Sequence, residues 1–310
     1  MELITPPILK KGDSVGIVAP ARKVTKEEIE PAIKIISQWG FNVVEGKNLY
    51  RSYNQFSGTD LDRASDFQQM IDNPEVKAII CARGGYGTTR ILDHINLRNL
   101  QRDPKWVVGY SDITVLHSLL NSWYMVETIH GIMPVNFPKN MEDSVATESL
   151  RRVLLGDAPT YTAMHHPFNR EGSIKGELCG GNLSILYSLT GSHADINPER
   201  KILFIEDLDE YLYHIDRMMM NLKRSGKLSN LAGLVVGGMT DMNDNTVPFG
   251  MNALEIIREA VDEYDYPVCF NFPAGHIDNN LALIMGRRAI LEVNHNETSL
   301  TFQTATCNLQ

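Results

Sequence analysis

No apolar run in this sequence approaches the roughly 20 residues that a helix needs to cross a bilayer, so nothing indicates a membrane-spanning protein. The first residues, Met1-Glu-Leu-Ile-Thr-Pro-Pro7, lack the basic stretch and apolar core of a secretory leader. Positive charge is in short supply: 29 Lys and Arg stand against 38 Asp and Glu, a net charge of −9, and the basic residues are scattered. That argues against a nucleic-acid partner, which calls for a basic stripe, and against an anionic membrane surface. Cysteine is scarce too. Cys81, Cys179, Cys269 and Cys307 lie far apart and make no metal-type pair, while Cys81 and Cys269 sit in apolar segments that suit buried thiols. Together these absences favour a reducing cytoplasm. Repeats and low-complexity stretches are also missing.

What is present is an ordinary globular composition, 43% hydrophobic and 22% charged, at a length that fits one large domain or two modest ones. The first half alternates strand and helix patterns. Strands are predicted at 14–19, 41–45 and 76–82, and helices at 25–39, 59–73 and 88–95. Thr25 and Glu28 have capping-box spacing, and Pro31 predicts a late start or a kink. The helix at 59–73 places Leu61, Ala64, Phe67, Met70 and Ile71 on one face. Such alternation implies a parallel sheet with right-handed crossovers, whose chemistry gathers beyond the carboxyl ends of the strands. After Pro134 the pattern changes. Residues 135–172 read as a polar connector with one helix at 143–155. The second unit is mixed and β-rich, with strands at 201–205, 234–237, 267–270, 281–285 and 289–293 and helices at 211–224 and 252–264.

The most informative stretch runs from Lys105 to Leu120. A short apolar strand, 106–108, breaks at Gly109-Tyr-Ser-Asp112 into a helix whose Ile113, Leu116, Leu119 and Leu120 share one face. A serine on so sharp a turn presents its hydroxyl at the sheet edge, and the amide after it suits an oxyanion. The trailing glycine of Gly-x-Ser-x-Gly is absent, and a plain N-cap fits the same residues. Arg83-Gly-Gly-Tyr-Gly87 lies between a strand and a helix, where free amides can hold an anion. It matches neither the dinucleotide loop nor the lysine-bearing triphosphate loop, and a tight turn explains it equally well. If Ser111 is a nucleophile, Gly85 supplies a second oxyanion amide beside that of Asp112. A base is then needed. His276 and His130 both sit on loops at strand ends, and position alone does not separate them; His165 and His166 read as a loop pair, and His117 and His214 as surface or packing residues on helices. Glu206 ends a buried apolar run, where a carboxylate needs a partner such as an imidazole N–H. Asp207, Asp209 and Glu210 resemble a calcium cluster but lack the EF-hand spacing, and they read as a solvated helix start.

Taken together, Arg83-Gly-Gly-Tyr-Gly87, Gly109-Tyr-Ser-Asp112, Phe204-Ile-Glu-Asp207 and Gly275-His276 resemble the LD-carboxypeptidase family of serine peptidases, which also contains the microcin C immunity peptidases. Gly180-Gly-Asn-Leu183, Asp216-Arg217 and Gly233-Leu-Val-Val-Gly-Gly238 extend the resemblance over nearly the whole chain. It implies an α/β fold: a flavodoxin-like nucleophile domain over 1–134, a connector over 135–172, and a smaller mixed, β-rich domain over 173–310 that carries the rest of the triad. The implied triad is Ser111 as nucleophile, His276 as base, in preference to His130, and Glu206 orienting the imidazole. Gly85 and Asp112 form the oxyanion hole; separately, the charge and position of Arg83 suggest that it pairs with a substrate carboxylate. The implied substrate is a murein tetrapeptide, which loses its terminal D-alanine during cytoplasmic cell-wall recycling. No metal or organic cofactor is needed, and a homodimer is the implied assembly. Alternatives are an immunity-type peptidase acting on peptidyl or aminoacyl nucleotides, and a non-catalytic binding protein. One departure stands out: where the family often has a Ser-Pro-Ser/Gly turn after its first strand, this chain has Ala19-Pro-Ala-Arg22.

Overall fold

A computed structural model describes residues 3–304 of the chain, so Cys307 lies outside the described residues. The chain forms two compact units. One comprises the chain up to Asp157 together with Asn279–Gly286; the other comprises Ala158–Asp278 and the chain from Arg287 onward.

The first unit is built on a sheet of β1 (Ser14–Val18), β2 (Asn42–Glu45), β3 (Val76–Cys81), β4 (Trp106–Gly109) and β5 (Thr128–His130). These strands are parallel and lie in the order β2-β1-β3-β4-β5, which is the flavodoxin-like order. The order reverses between β1 and β3, and ligands of such sheets settle beyond the carboxyl ends at that point. β1 is followed there by Ala19–Arg22 and β3 by the Arg83–Gly87 glycine loop.

Helix α1 (Lys26–Gln38) is capped by Thr25, whose Oγ1 accepts from the Glu28 N–H at 3.3 Å while Glu28 Oε2 accepts from the Thr25 N–H at 2.8 Å. The helix starts at Lys26 and runs through Pro31, so its start is not late; Ile29, Ala32, Ile35 and Ile36 supply the buried face that holds it. Helix α2 (Asp60–Asp72) buries Ala64, Phe67, Met70 and Ile71 as the pattern predicts, but Leu61 is exposed and its place inside is taken by Arg63 and Asp66. The helix expected over 88–95 is only α3 (Thr88–Ile91), followed by a 3-10 turn at Leu92–His94. A short α4 (Asn99–Arg102) leads into β4.

After β4 come a 3-10 turn at Ser111–Ile113, α5 (Thr114–Leu119) and a π turn at Leu120–Tyr124 that Met125 ends in the left-handed region, at φ 55°. Helix α6 (Val145–Leu154) corrects the connector reading. It buries Ala146, Leu150, Val153 and Leu154, and the Leu154 carbonyl accepts from the Leu9 N–H at 2.8 Å, so residues as far as Asp157 belong to the first unit. The segment Leu283–Met285, expected in the second unit, is a second correction. It pairs antiparallel with β5 and forms the outer edge of the first sheet.

The second unit contains β6 (Thr160–Met164), β7 (Gly172–Asn182), α7 (Leu183–Leu189), β8 (Ile202–Leu208), α8 (Leu212–Arg224), β9 (Gly233–Thr240), α9 (Ala253–Ala260) and β10 (Val268–Cys269). The Leu283–Met285 strand is β11, and β12 (Arg288–Val293) and β13 (Glu297–Phe302) complete the set. Their sheet has the order β10-β9-β8-β7-β12-β13-β6. Strands β10 to β7 are parallel, and the β7-β12-β13-β6 half is antiparallel. This is the mixed, β-rich unit that the sequence predicts. Its core joins Leu203, Ile205, Leu234 and Val236 of the sheet to Met218, Met219 and Leu222 of α8 and Ile256 and Ile257 of α9. Cys81, Cys179 and Cys269 are buried free thiols. Among the described residues no helix is long and apolar enough to cross a membrane.

Candidate active site

Ser111 leaves β4 with φ 63°, a left-handed backbone that a non-glycine residue adopts at a cost of about 1–3 kcal/mol. The turn is therefore the strained strand-to-helix elbow that presents a side chain beyond the sheet, rather than a relaxed cap. The glycine loop lies directly against it. A Cβ built on Gly84 would stand 2.9 Å from Ser111 Cβ, 3.1 Å from Ser111 Oγ and 3.4 Å from the Asp112 amide nitrogen, so only a glycine lets the loop approach this closely.

Two buried charges hold the loop in place. Asp112, 1% exposed, accepts from the Thr88 N–H at 2.8 Å through Oδ2, which ties the elbow to the far side of the loop. Burial raises its pKa, while the Thr88 hydrogen bond and the nearby Arg63 charge act the other way. Arg63, 2% exposed, donates from Nη1 to the Gly87 carbonyl at 2.8 Å and to the Pro20 carbonyl, and from Nη2 to Asp60. One guanidinium thus joins α2 to both loops at the strand-order reversal.

His117 fixes the elbow from behind. It is fully buried on α5, with Nε2 2.8 Å from the Gly109 carbonyl and Nδ1 2.9 Å from Thr128 Oγ1. Burial pushes its pKa down to about 4. The neutral ring donates from Nε2 to Gly109 and accepts from the Thr128 hydroxyl at Nδ1.

In the second unit Glu206 is fully buried on β8, next to a register shift in the pairing with β9. Its Oε2 lies 2.6 Å from His276 Nδ1 and accepts from the His276 backbone N–H at 3.2 Å. The contact depends on Gly275, at φ 105°, where an added Cβ would stand 2.7 Å from Glu206 Cβ. The His276 side chain is 13% exposed. Its burial opposes protonation, but the hydrogen bond and charge of Glu206, with a further contribution from Asp207, raise its pKa overall. With Nδ1–H donated to a carboxylate, the neutral imidazole keeps Nε2 as its bare, basic nitrogen.

A strained serine elbow on a flavodoxin-order sheet and a buried glutamate–histidine pair on a mixed sheet are accompanied by matches to two sequence profiles. These describe an LD-carboxypeptidase N-terminal domain, over residues 15–131, and an LD-carboxypeptidase C-terminal domain, over residues 175–291. The chain belongs to the LD-carboxypeptidase family. A probable murein peptide carboxypeptidase of Bacillus subtilis is 34% identical over 294 residues, covering 92% of this chain and 91% of that protein. The solved muramoyltetrapeptide carboxypeptidase from Oxalobacter formigenes matches with a TM-score of 0.85 at 25% identity, over 94% of this chain and 100% of that one. The microcin C7 self-immunity protein MccF of Escherichia coli is 24% identical over 95% of each chain.

The other candidate residues are placed individually. His130 is not on a loop. It lies in β5 with no exposed surface, its ring 5.8 Å from that of Tyr110 and 6.2 Å from that of His117, which leaves it no route to a substrate. Arg83 Nη1 is 3.4 Å from Glu28 Oε1 on α1. Asp207 is not solvated as the acidic run suggests: at 2% exposed it accepts from Asn182 Nδ2, the Ser184 N–H and the Leu208 N–H, each at 2.9 Å. Burial and the charge of Glu206 push its pKa up to about 7. Among the described residues no group of three His, Cys, Asp or Glu could hold a metal ion. Sequence reasoning missed Arg63, Asp207 and the role of His117, because polarity alone marks such residues as exposed.

Proposed function

We propose that this chain is a serine peptidase that releases the terminal D-alanine from murein tetrapeptides. The observation that carries the proposal is the left-handed backbone of Ser111, which presents the hydroxyl beside a glycine loop. The 2.6 Å Glu206–His276 pair and the names of the relatives support it. Ser111 Oγ attacks the scissile carbonyl and its proton passes to His276 Nε2, while Glu206 holds the Nδ1–H and offsets the charge of the imidazolium. The amides of Gly85 and Asp112 receive the oxyanion. The C–N bond then breaks as His276 returns the proton to the departing D-alanine amine. Water, deprotonated by the same imidazole, cleaves the acyl-enzyme. The proposal includes a cytoplasmic setting, which the three buried free thiols suit, and the homodimer implied by the resemblance.

Mass spectrometry of a murein tetrapeptide incubated with wild-type protein and with Ser111→Ala tests this. Loss of one D-alanine with wild type alone is the expected result. Equal loss with the variant refutes the assignment of Ser111. No loss with either, together with hydrolysis of an aminoacyl nucleotide, moves the substrate to that of an immunity-type peptidase, a reading favoured by the match to MccF along both chains.

A further inference from the structure

We propose that Arg22 is the specificity residue that binds the C-terminal carboxylate of the peptide; the inference rests on the carboxypeptidase reading above. A carboxypeptidase must place its serine at a carbonyl carbon with the free carboxylate about one residue beyond, roughly 3.6 Å further along the chain. A cation is therefore needed within a few ångströms of the serine, on the leaving-group side.

Arg22 is the candidate, brought toward the serine by the two loops at the strand-order reversal. Its backbone N–H donates to the Gly84 carbonyl at 3.4 Å. Its side chain lies along the neighbouring glycine: a Cβ on Gly85 would stand 2.1 Å from Arg22 Cδ, 2.6 Å from Cγ and 3.5 Å from Nε. Gly84 in turn abuts Ser111, as described above. The arginine stem and the serine hydroxyl thus flank two consecutive glycines, whose Cα atoms are about 3.8 Å apart.

Other arginines of the first unit are already engaged. Arg83 faces Glu28, Arg63 and Arg90 share Asp60, and Arg51 pairs with Asp62. Among the described residues the Arg22 guanidinium has no hydrogen bond or ion pair, and the residue is exposed. A planar fork with free N–H groups is the donor set that matches a carboxylate bidentately. The role that the sequence analysis gave to Arg83 therefore passes to Arg22, in the turn where this chain departs from the Ser-Pro-Ser/Gly pattern.

The test is calorimetric binding to Ser111→Ala protein of a murein tetrapeptide ending in D-alanine and of the same peptide as its C-terminal amide. The acid should bind about 10- to 100-fold more tightly than the amide. Adding Arg22→Ala or Arg22→Gln should bring the acid down to the affinity of the amide and leave the amide unchanged, while Arg22→Lys should restore part of the preference. Arg22→Gln keeps the stem over Gly85, so it separates loss of charge from loss of packing. An acid-to-amide ratio unaltered by both variants overturns the assignment, as does the absence of binding by either peptide. Because binding is read without turnover, failure of Arg22 and failure of Ser111 as nucleophile give different results.

Discussion

Replacing Gly275 with alanine tests the glutamate–histidine pair without touching either partner. Two costs add at this position. The backbone stands at φ 105°, outside the small left-handed well that an L-residue tolerates, for about 1–3 kcal/mol. The new methyl would also lie 2.7 Å from Glu206 Cβ, 2.8 Å from Cγ and 2.9 Å from Oε2. Glu206 is fully buried on a central strand and cannot swing into solvent, so relief has to come from displacing the carboxylate or the 275–276 backbone, for another ~1–3 kcal/mol. The expected total is about 2–6 kcal/mol of lost stability. Either displacement lengthens the 2.6 Å contact that raises the His276 pKa. Urea unfolding should therefore show a lower midpoint at an unchanged slope, and NMR titration of the imidazole should show its pKa falling toward the value that burial alone favours. A variant within ~0.5 kcal/mol of wild type, with the His276 titration unmoved, would refute the reasoning, because that is the range of an ordinary surface substitution.

Glu206→Gln removes the two leading causes of the raised His276 pKa and leaves its burial. The acidic limb of kcat/KM should move to lower pH while the plateau falls by about 10³–10⁴-fold; an acidic limb that stays in place rules out His276 as the titrating base. His117 gives the opposite sign in stability. Its folded pKa of about 4 lies below the ordinary 6.5, so the unfolded state binds more protons between those values. Stability should be intact above pH 6.5 and fall by about 3 kcal/mol as the pH drops to 4. His117→Gln should flatten that part of the stability–pH profile, and an unchanged profile shows that the histidine does not titrate on unfolding.

Local chemistry made much of this molecule readable from its sequence. Thr25 with Glu28 and Asn252 with Glu255 are capping boxes found where the pattern places helix starts. The run Trp106–Gly109 breaking at Ser111 marked a sharp strand-to-helix turn, but a plain N-cap fits the same residues, and it is the left-handed φ of Ser111 that separates the two. The resemblance supplied what local pattern could not, a reason to prefer His276 to His130. What stayed hidden depends on partners far along the chain. β11 is three residues long and owes its place to β5, which no local periodicity records. Arg63 and Asp207 look like solvated charges until the carbonyls of Pro20 and Gly87 and the donors of Asn182 and Ser184 close around them.

The return of β11 to the first sheet has a consequence for synthesis. β5 ends at His130, but the strand that covers its edge begins at Leu283, after most of the second unit has been translated. Until then the nascent flavodoxin-order sheet presents the backbone donors and acceptors of β5 to any extended segment nearby, an invitation to mispairing between chains. Pairing so distant in sequence also carries a large loop-closure cost and makes the last step of sheet assembly slow. A chain cut at Asp157 therefore keeps the serine elbow and α6 but leaves an open β edge. Expressing the first unit alone is expected to yield a soluble monomer only if residues 279–286 are supplied as well.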